Sequence, residues 1–344
     1  MRLSLLGDKH DPRQPEELQK VFAQACAGAP ELDTINLSII PWSSDLGILR
    51  GNPNLRSITI QSPLTVDKFE PLTHLTQLEH LSVCIQLNRA QPTVEPPPLC
   101  FASLRSLQAQ AWTFNCMRVL LDCAQAPLLF SLRLQFCGLD YEGLLPQANH
   151  CMDTVSTKFS GLEALSVECL PAPNRPVFPR ARVYFGADAP LATLTAPLLR
   201  MHDLRSFTLL FSDFVFSISS ATIEAFAHAW PNAEEIHIDT STDDGRRAGF
   251  ESIVHFALHC PRLRSLRLPT MELSVDALES VEYPEQPHPL RDLEIAEVVF
   301  PRGADLSREM SAFIERMFPG AAIPFVDHPI VVTDEESGDQ SRLV

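Results

Sequence analysis

His255 and His259 stand four residues apart, the spacing that brings two imidazoles to one helix face, where they could share a metal ion. A zinc-hydrolase helix also needs a glutamate beside the first histidine as general base, and Phe256 fills that place. The pair therefore reads as structural histidines on a packed helix. Asp239, Asp243 and Asp244 offer hard oxygens in what reads as a loop after a strand. Gly245 falls one place late for the turn of a calcium-binding loop. The nine cysteines are odd in number, scattered, and contain no C-x-x-C pair, which fits neither a disulfide framework nor a zinc ribbon. No glycine-rich phosphate loop and no G-x-S-x-G nucleophile turn occurs. The expectation is a protein that is no enzyme and uses no metal or cofactor.

What the chain does carry is a set of long polar side chains at regular places: Arg133, Gln135, Glu168, His237, Asp239, Arg267 and Glu294. Arginine and carboxylate side chains at such positions can recognise charged groups of another protein. A net charge of −16 disfavours phosphate backbones and anionic lipid, since both attract positive charge. No apolar run approaches the roughly 18 residues of a membrane span. The N-terminal apolar run in MRLSLL is too short for a signal peptide and Asp8 breaks it off, so a reducing compartment, cytoplasmic or nuclear, is expected.

These side chains must be positioned by a repeat. The pattern L-x-x-L-x-L, with other apolar residues allowed, begins at Leu32, Leu55, Leu78, Leu104, Leu129, Leu162, Leu204, Ala233, Leu263 and Leu290. The spacings are 23, 23, 26, 25, 33, 42, 29, 30 and 27 residues. A proline commonly precedes the motif, as in NPNL, WPNA and CPRL. Ahead of several prolines lie apolar residues at i, i+3, i+4 and i+7: Leu18, Val21, Phe22 and Cys26; Ile223, Phe226, Ala227 and Trp230; Ile253, Phe256, Ala257 and Cys260. That is one face of an amphipathic helix, which proline then ends. The unit is helix, proline stop, strand, loop. Alone it cannot bury its apolar face, and stacking units builds a parallel sheet on one side and helices on the other. Arg2-Leu3-Ser4-Leu5 reads as the tail of an earlier repeat strand, cut at Met1.

The motif and its period resemble leucine-rich repeats, and the C-P-x-L-x-x-L-x-L style is similar to the repeat region of fungal F-box/LRR proteins. LFSLRLQFCGLDYEGLL from Leu129 comes close to the cysteine-containing subtype with Cys137 at its turn, and Met271 takes that place in the frame from Leu263. Elsewhere Pro63, Gln86, Trp112 or Ser212 stands there. The resemblance implies an α/β solenoid, a horseshoe with its parallel sheet concave and its helices convex, spanning residues 1–326. It also implies a protein-interaction module like the substrate-recognition part of a ubiquitin-ligase receptor. PEELQKVF from Pro15 looks like the opening of an F-box, but GAPELDTINL comes directly after it and leaves no room for the remainder. The alternative is a free-standing scaffold or inhibitor, with an enzyme a distant third.

In such a solenoid the residues between the apolar positions of each strand face the concave surface. Small polar residues such as Thr34, Asn36, Ser57 and Thr59 occupy its N-terminal part, and the long polar side chains from Arg133 to Glu294 occupy its later repeats. The sequence places protein binding there. Pro92–Pro98 reads as a stiff loop. A larger interruption, 171–190, brings Arg175, Arg180, Arg182, Tyr184 and Phe185 together, either as a functional insertion or as a degenerate repeat around Leu191–Leu194. Residues 327–344 read as an acidic disordered tail. No nucleic acid or membrane partner is expected.

Overall fold

The structure, a computed structural model, describes residues 2–5, 15–29, 31–38, 46–86, 97–137, 144–170, 183–184, 191–242, 247–284, 286–300 and 307–322. The first strands are β1 (Arg2–Leu5), β2 (Thr34–Leu37), β3 (Ser57–Leu64) and β4 (His80–Ile85), then β5 (Leu99–Cys100), β6 (Ser106–Ala111), β7 (Ala124–Gln125) and β8 (Ser131–Cys137). They continue as β9 (Ala164–Leu170), β10 (Val183–Tyr184), β11 (Ser206–Phe216) and β12 (Glu235–Thr242), then β13 (Ser265–Leu268), β14 (Met271–Glu272), β15 (Asp292–Ile295) and β16 (Val298–Val299). The helices are α1 (Pro15–Gly28), α2 (Phe114–Cys123), α3 (Leu144–Lys158), α4 (Leu191–Thr195), α5 (Ser220–Ala229), α6 (Val254–His259), α7 (Val275–Glu279) and α8 (Ser307–Met317).

One open parallel sheet runs β1-β2-β3-β4-β6-β8-β9-β11-β12-β13-β15, with β10 added to β11. All ten sequence motifs open a strand two residues after their first apolar residue, and those opening residues are aligned across the sheet, from Thr34 opposite Ser57 to Ser265 opposite Asp292. β1 pairs with β2 as the strand that Arg2–Leu5 predicted. This is the solenoid the period implies. The short parallel pairs β5–β7 and β14–β16 lie outside the main path.

The proline stops have a local cause. Pro53, Pro127, Pro231 and Pro261 each hold the second place of a turn closed three residues apart, as where Leu55 N–H donates to the Asn52 carbonyl at 3.2 Å and Leu263 N–H to that of Cys260 at 3.0 Å. Proline suits that place because its fixed φ matches the turn and no N–H is needed there. The residue after the first apolar position presents a carbonyl that accepts two N–H groups from the next repeat: Arg56 O takes Glu79 and His80, both at 2.8 Å. The arrangement recurs down the array, so strand entry leaves its backbone paired.

The core lies between sheet and helices. Leu132, Leu266, Ile236 and Leu165 are each 1% exposed, and full burial of such a side chain contributes about 1.5–3 kcal/mol. Phe226, Ala227, Trp230, Ile253, Phe256 and Cys260 are all buried, which makes them the inward helix face that their spacing predicts. Trp230 packs on Phe207 and Phe226 at 4.5 and 4.9 Å and donates its indole N–H to the Leu198 carbonyl at 3.3 Å. Thr113 and Ser219 start α2 and α5 with their hydroxyls accepting N–H groups of Cys116 and Thr222. Phe22 and Cys26 are buried; the side chains of Leu18 and Val21 lie outside the described residues.

The outer side is less uniformly helical than expected. The two 23-residue repeats close with short 3-10 segments, 46–51 and 66–74, while the 33-residue repeat holds the fifteen-residue α3. Leu191 and Leu194 are buried in α4, which takes the outer helix position rather than a strand position. Asp239 lies within β12 and not in a loop, because the strand continues past the end of the six-residue motif. Asp243, Asp244, most of the 92–98 loop and residues 327–344 lie outside the described residues.

Candidate protein-binding face

Parallel pairing in constant register lines side chains into rows on the sheet face away from the helices. One row reads Asn36, Thr59, Ser82, Gln108, Arg133, Ser166, Thr208, His237, Arg267 and Glu294. The next reads Cys84, Gln110, Gln135, Glu168, Leu210 and Asp239. All seven residues favoured by the sequence stand in these two rows. They form two clusters, with half-buried Leu210 between them.

Glu168 centres the first cluster. Its side chain is 4% exposed, while that of Arg133 is 48% exposed. Arg133 Nε and Nη2 reach its two oxygens at 2.7 and 2.9 Å, the bidentate geometry that arginine favours. Gln135 Nε2 donates to Oε2 at 2.8 Å and Ser166 Oγ to Oε1 at 2.7 Å. Gln108 in turn donates to Gln135 Oε1 at 3.0 Å. Burial pushes the Glu168 pKa up, but the hydrogen bonds from Arg133, Gln135 and Ser166, together with the arginine charge, outweigh it. The carboxyl sits below its ordinary value and stays ionised. The cluster is a finished network that holds Arg133 upright.

Arg267 centres the second cluster, 3.5 Å from Asp239 and 3.3 Å from Glu294. His237 lies beside it in register, and its Nε2 is buried without a hydrogen-bond partner. Burial first and the Arg267 charge second lower the His237 pKa, against the pull of Asp239, Glu294 and Glu168. His237, Arg267 and Glu294 line a groove of about 670 Å³ together with Glu235, Asp292 and Ala322. An open groove with a neutral imidazole and more carboxylates than cations suits basic groups.

Arg175, Arg180, Arg182 and Phe185 lie outside the described residues. Tyr184 is placed by its backbone in β10, opposite Val215 of β11, so part of the insertion returns to the sheet; its side chain lies outside the described residues. His255 and His259 sit on α6, on the helix side, with His259 3.8 Å from His228 of α5. Among the described residues no group of three or more His, Cys, Asp or Glu side chains is placed to hold a metal ion. No described helix is long and apolar enough to cross a membrane.

Sequence reasoning missed Gln110 and Leu210. Both lie in the second row, beyond the six-residue motif; continuing the alternation past the motif would have found them.

No family model matches the chain, and no curated protein matches it. Among solved structures it is similar to a leucine-rich-repeat protein of Leptospira interrogans, 13% identical over 94% of this chain and 95% of that one, with a TM-score of 0.29.

Proposed function

We propose that the chain is a protein-interaction module that holds a partner on the open face of its sheet, through the arginine-centred clusters of β8–β9 and β12–β15. The carrying observation is the register: seven long polar side chains from widely separated repeats stand in two adjacent rows. A solenoid offers one continuous surface to a single partner, and Glu168 fixes Arg133 before any partner arrives, which lowers the ordering cost of binding. Arg133 would take a carboxylate, and the groove at Arg267 a basic group.

Affinity capture with the full chain, then calorimetry on the captured partner, tests the reading. Arg267→Glu combined with Glu294→Arg is expected to weaken binding at least about tenfold, or roughly 1.4 kcal/mol. Intact binding in that variant, with loss on substitution of the outer helices, would refute it. The finer reading, a substrate-recognition part of an F-box ubiquitin-ligase receptor, rests on the repeat style around Cys137 and Cys260 alone. The chain as given is expected not to copurify with the ligase adaptor. Binding that depends on Glu16, Leu18 and Phe22 would overturn that expectation and separate a receptor from a free-standing scaffold. The odd number and wide scatter of the nine cysteines are what favours a reducing compartment, cytoplasm or nucleus.

A further inference from the structure

The edge of the sheet where the strands begin carries a charge pattern that the binding face does not use. The residue after the first apolar position of each motif projects there, its carbonyl already taken by the next repeat. In sheet order these residues are Asp33, Arg56, Glu79, Arg105, Phe130, Glu163, Arg205, Glu234, Arg264 and Arg291. Signs alternate from Asp33 to Arg105 and from Glu163 to Arg264, and Arg291 at the end of the row repeats the sign of Arg264. Pairing between neighbours within the chain accounts for alternation as such, since Arg56 meets Glu79 at 3.3 Å and Arg205 meets Glu163 at 3.5 Å.

Neighbour pairing does not account for the phase. Phe130 replaces a charge, and the pattern resumes with Glu163 where unbroken alternation requires a cation. As a result, the four pairs of residues equally far from Phe130 on either side are opposite in sign: Arg105 with Glu163, Glu79 with Arg205, Arg56 with Glu234, Asp33 with Arg264; Arg291, one strand further out, mirrors a position outside the described residues. One row out, in the turns, Glu31 and Arg262 obey the same rule, and both are exposed. At the centre stand two exposed large apolar side chains, Leu128 at 54% and Phe130 at 41%. Their strand, β8, is also the middle of the eleven-strand path, with five strands on each side.

We propose that this edge is a homodimer interface, with two copies stacked strand-entry edge to strand-entry edge about a two-fold axis through Phe130. The axis runs along the sheet normal, so it reverses strand order and maps a curved array onto itself. In such an isologous contact each residue meets the copy of its mirror position. All four ladder pairs are then complementary and each occurs twice, while the two Phe130–Leu128 patches meet at the axis. The matched stretch spans eight strand spacings, about 38 Å at ~4.8 Å each. Like-charged mirror positions would have made the same contact repulsive.

Sedimentation velocity on the full chain, over about 1–100 µM protein and at about 50 and 500 mM salt, tests the proposal. A reversible dimer is expected, weakened at least about tenfold by high salt. Arg105→Glu and Glu163→Arg should each weaken it at least about tenfold, and Phe130→Ser likewise. The double variant Arg105→Glu/Glu163→Arg should return the dimer to within about threefold of the parent, because Glu at 105 again faces Arg at 163 of the second copy. Within one chain the same swap sets Glu beside Glu79 and Arg beside Arg205, so a purely intrachain role makes the double variant the worst of the three. Monomer at every concentration in low salt, a dimer indifferent to Arg105→Glu and Phe130→Ser, or a double variant no better than the singles overturns the proposal. Circular dichroism of each variant confirms that the exposed substitutions leave the fold intact. Partner binding on the open face is measured separately and can fail or succeed independently.

Discussion

Replacing Glu168 by alanine removes the acceptor on which Arg133, Gln135 and Ser166 converge. Hydrogen bonds to a charged group contribute about 1.5–3 kcal/mol each when their loss strands a buried partner. Three considerations reduce the sum. The variant no longer bears the cost of burying a carboxylate, and Arg133, with its side chain 48% exposed, can turn to water. Gln135 and Ser166 are only partly buried and recover some of their bonds from solvent. The expected net cost is about 2–3 kcal/mol. A stacked array need not unfold in one step, so urea titration should be read locally, by hydrogen exchange of the β8 and β9 amides. Arg133→Ala alone leaves the buried carboxylate without its cation and should cost at least as much, and the double-mutant cycle should give a coupling of about 1 kcal/mol. The pH dependence has a fixed sign. The folded pKa lies below the ordinary value of 4.5, so the contribution is complete above that pH and disappears as pH falls through the depressed value. Parent and variant should therefore converge only in acid. A variant within about 0.5 kcal/mol of the parent at neutral pH, or zero coupling to Arg133, refutes the account of a preset network.

Leu132→Ala and Leu266→Ala, each at a site 1% exposed, should cost about 2–5 kcal/mol, and an unchanged thermal melt in both would show the repeat frame to be wrong. His288 donates from Nε2 to the Cys260 carbonyl at 2.9 Å and accepts the Leu290 N–H on Nδ1 at 3.2 Å, so a second proton breaks the latter bond. Burial lowers its pKa below 6.5, as it does for His237 and His259, so stability is fully present above about pH 6.5 and is lost as pH falls below it. His288→Gln should flatten that slope between about pH 7 and 5, and a flat parent profile would contradict it. Burial raises the Cys84 thiol to about 11 and those of Cys151 and Cys260 to about 12, whereas Cys100 is exposed. A thiol reagent at neutral pH should modify Cys100 first and these three only on unfolding; fast labelling of Cys260 in the folded chain would count against the packing.

The strands were legible because the inward positions of a parallel array admit few substitutions: every motif from Leu32 to Leu290 must put two or three apolar side chains into the same slot. Register came with them, since the same turn delivers most of the strands at the same height. The outer path obeys a weaker constraint. It must return the chain over the core in whatever length remains, and 23 residues leave room for a 3-10 segment where 33 accommodate the four turns of α3. Periodicity over Ile223–Trp230 revealed α5 because its apolar face is complete, while Leu46–Gly51 buries only Leu46 and Leu49 and carries no such signal. The candidate side chains could be named from alternation, but their grouping could not. That Glu168 would be enclosed by Arg133 and Gln135 depends on two repeats 33 residues apart lying side by side, which no local pattern states. The Asp239 misplacement has the same origin, in strands that outrun the motif.

After α8 buries Phe313, Ile314 and Met317, the chain turns back and lays Ala322 along β15: Ala322 N–H donates to the Arg291 carbonyl at 2.6 Å, and Leu293 N–H to that of Ala322 at 3.3 Å. The last strand thus has its outward hydrogen-bonding side partly occupied. A parallel sheet of near-identical rungs is a template on which any extended segment, including another copy's, can lengthen the stack. Shearing the chain before Ser307 would expose that rung and the apolar end of the core together. The turn at Ala322 thus serves as a cover for an edge that a molecule clipped there would present to other chains.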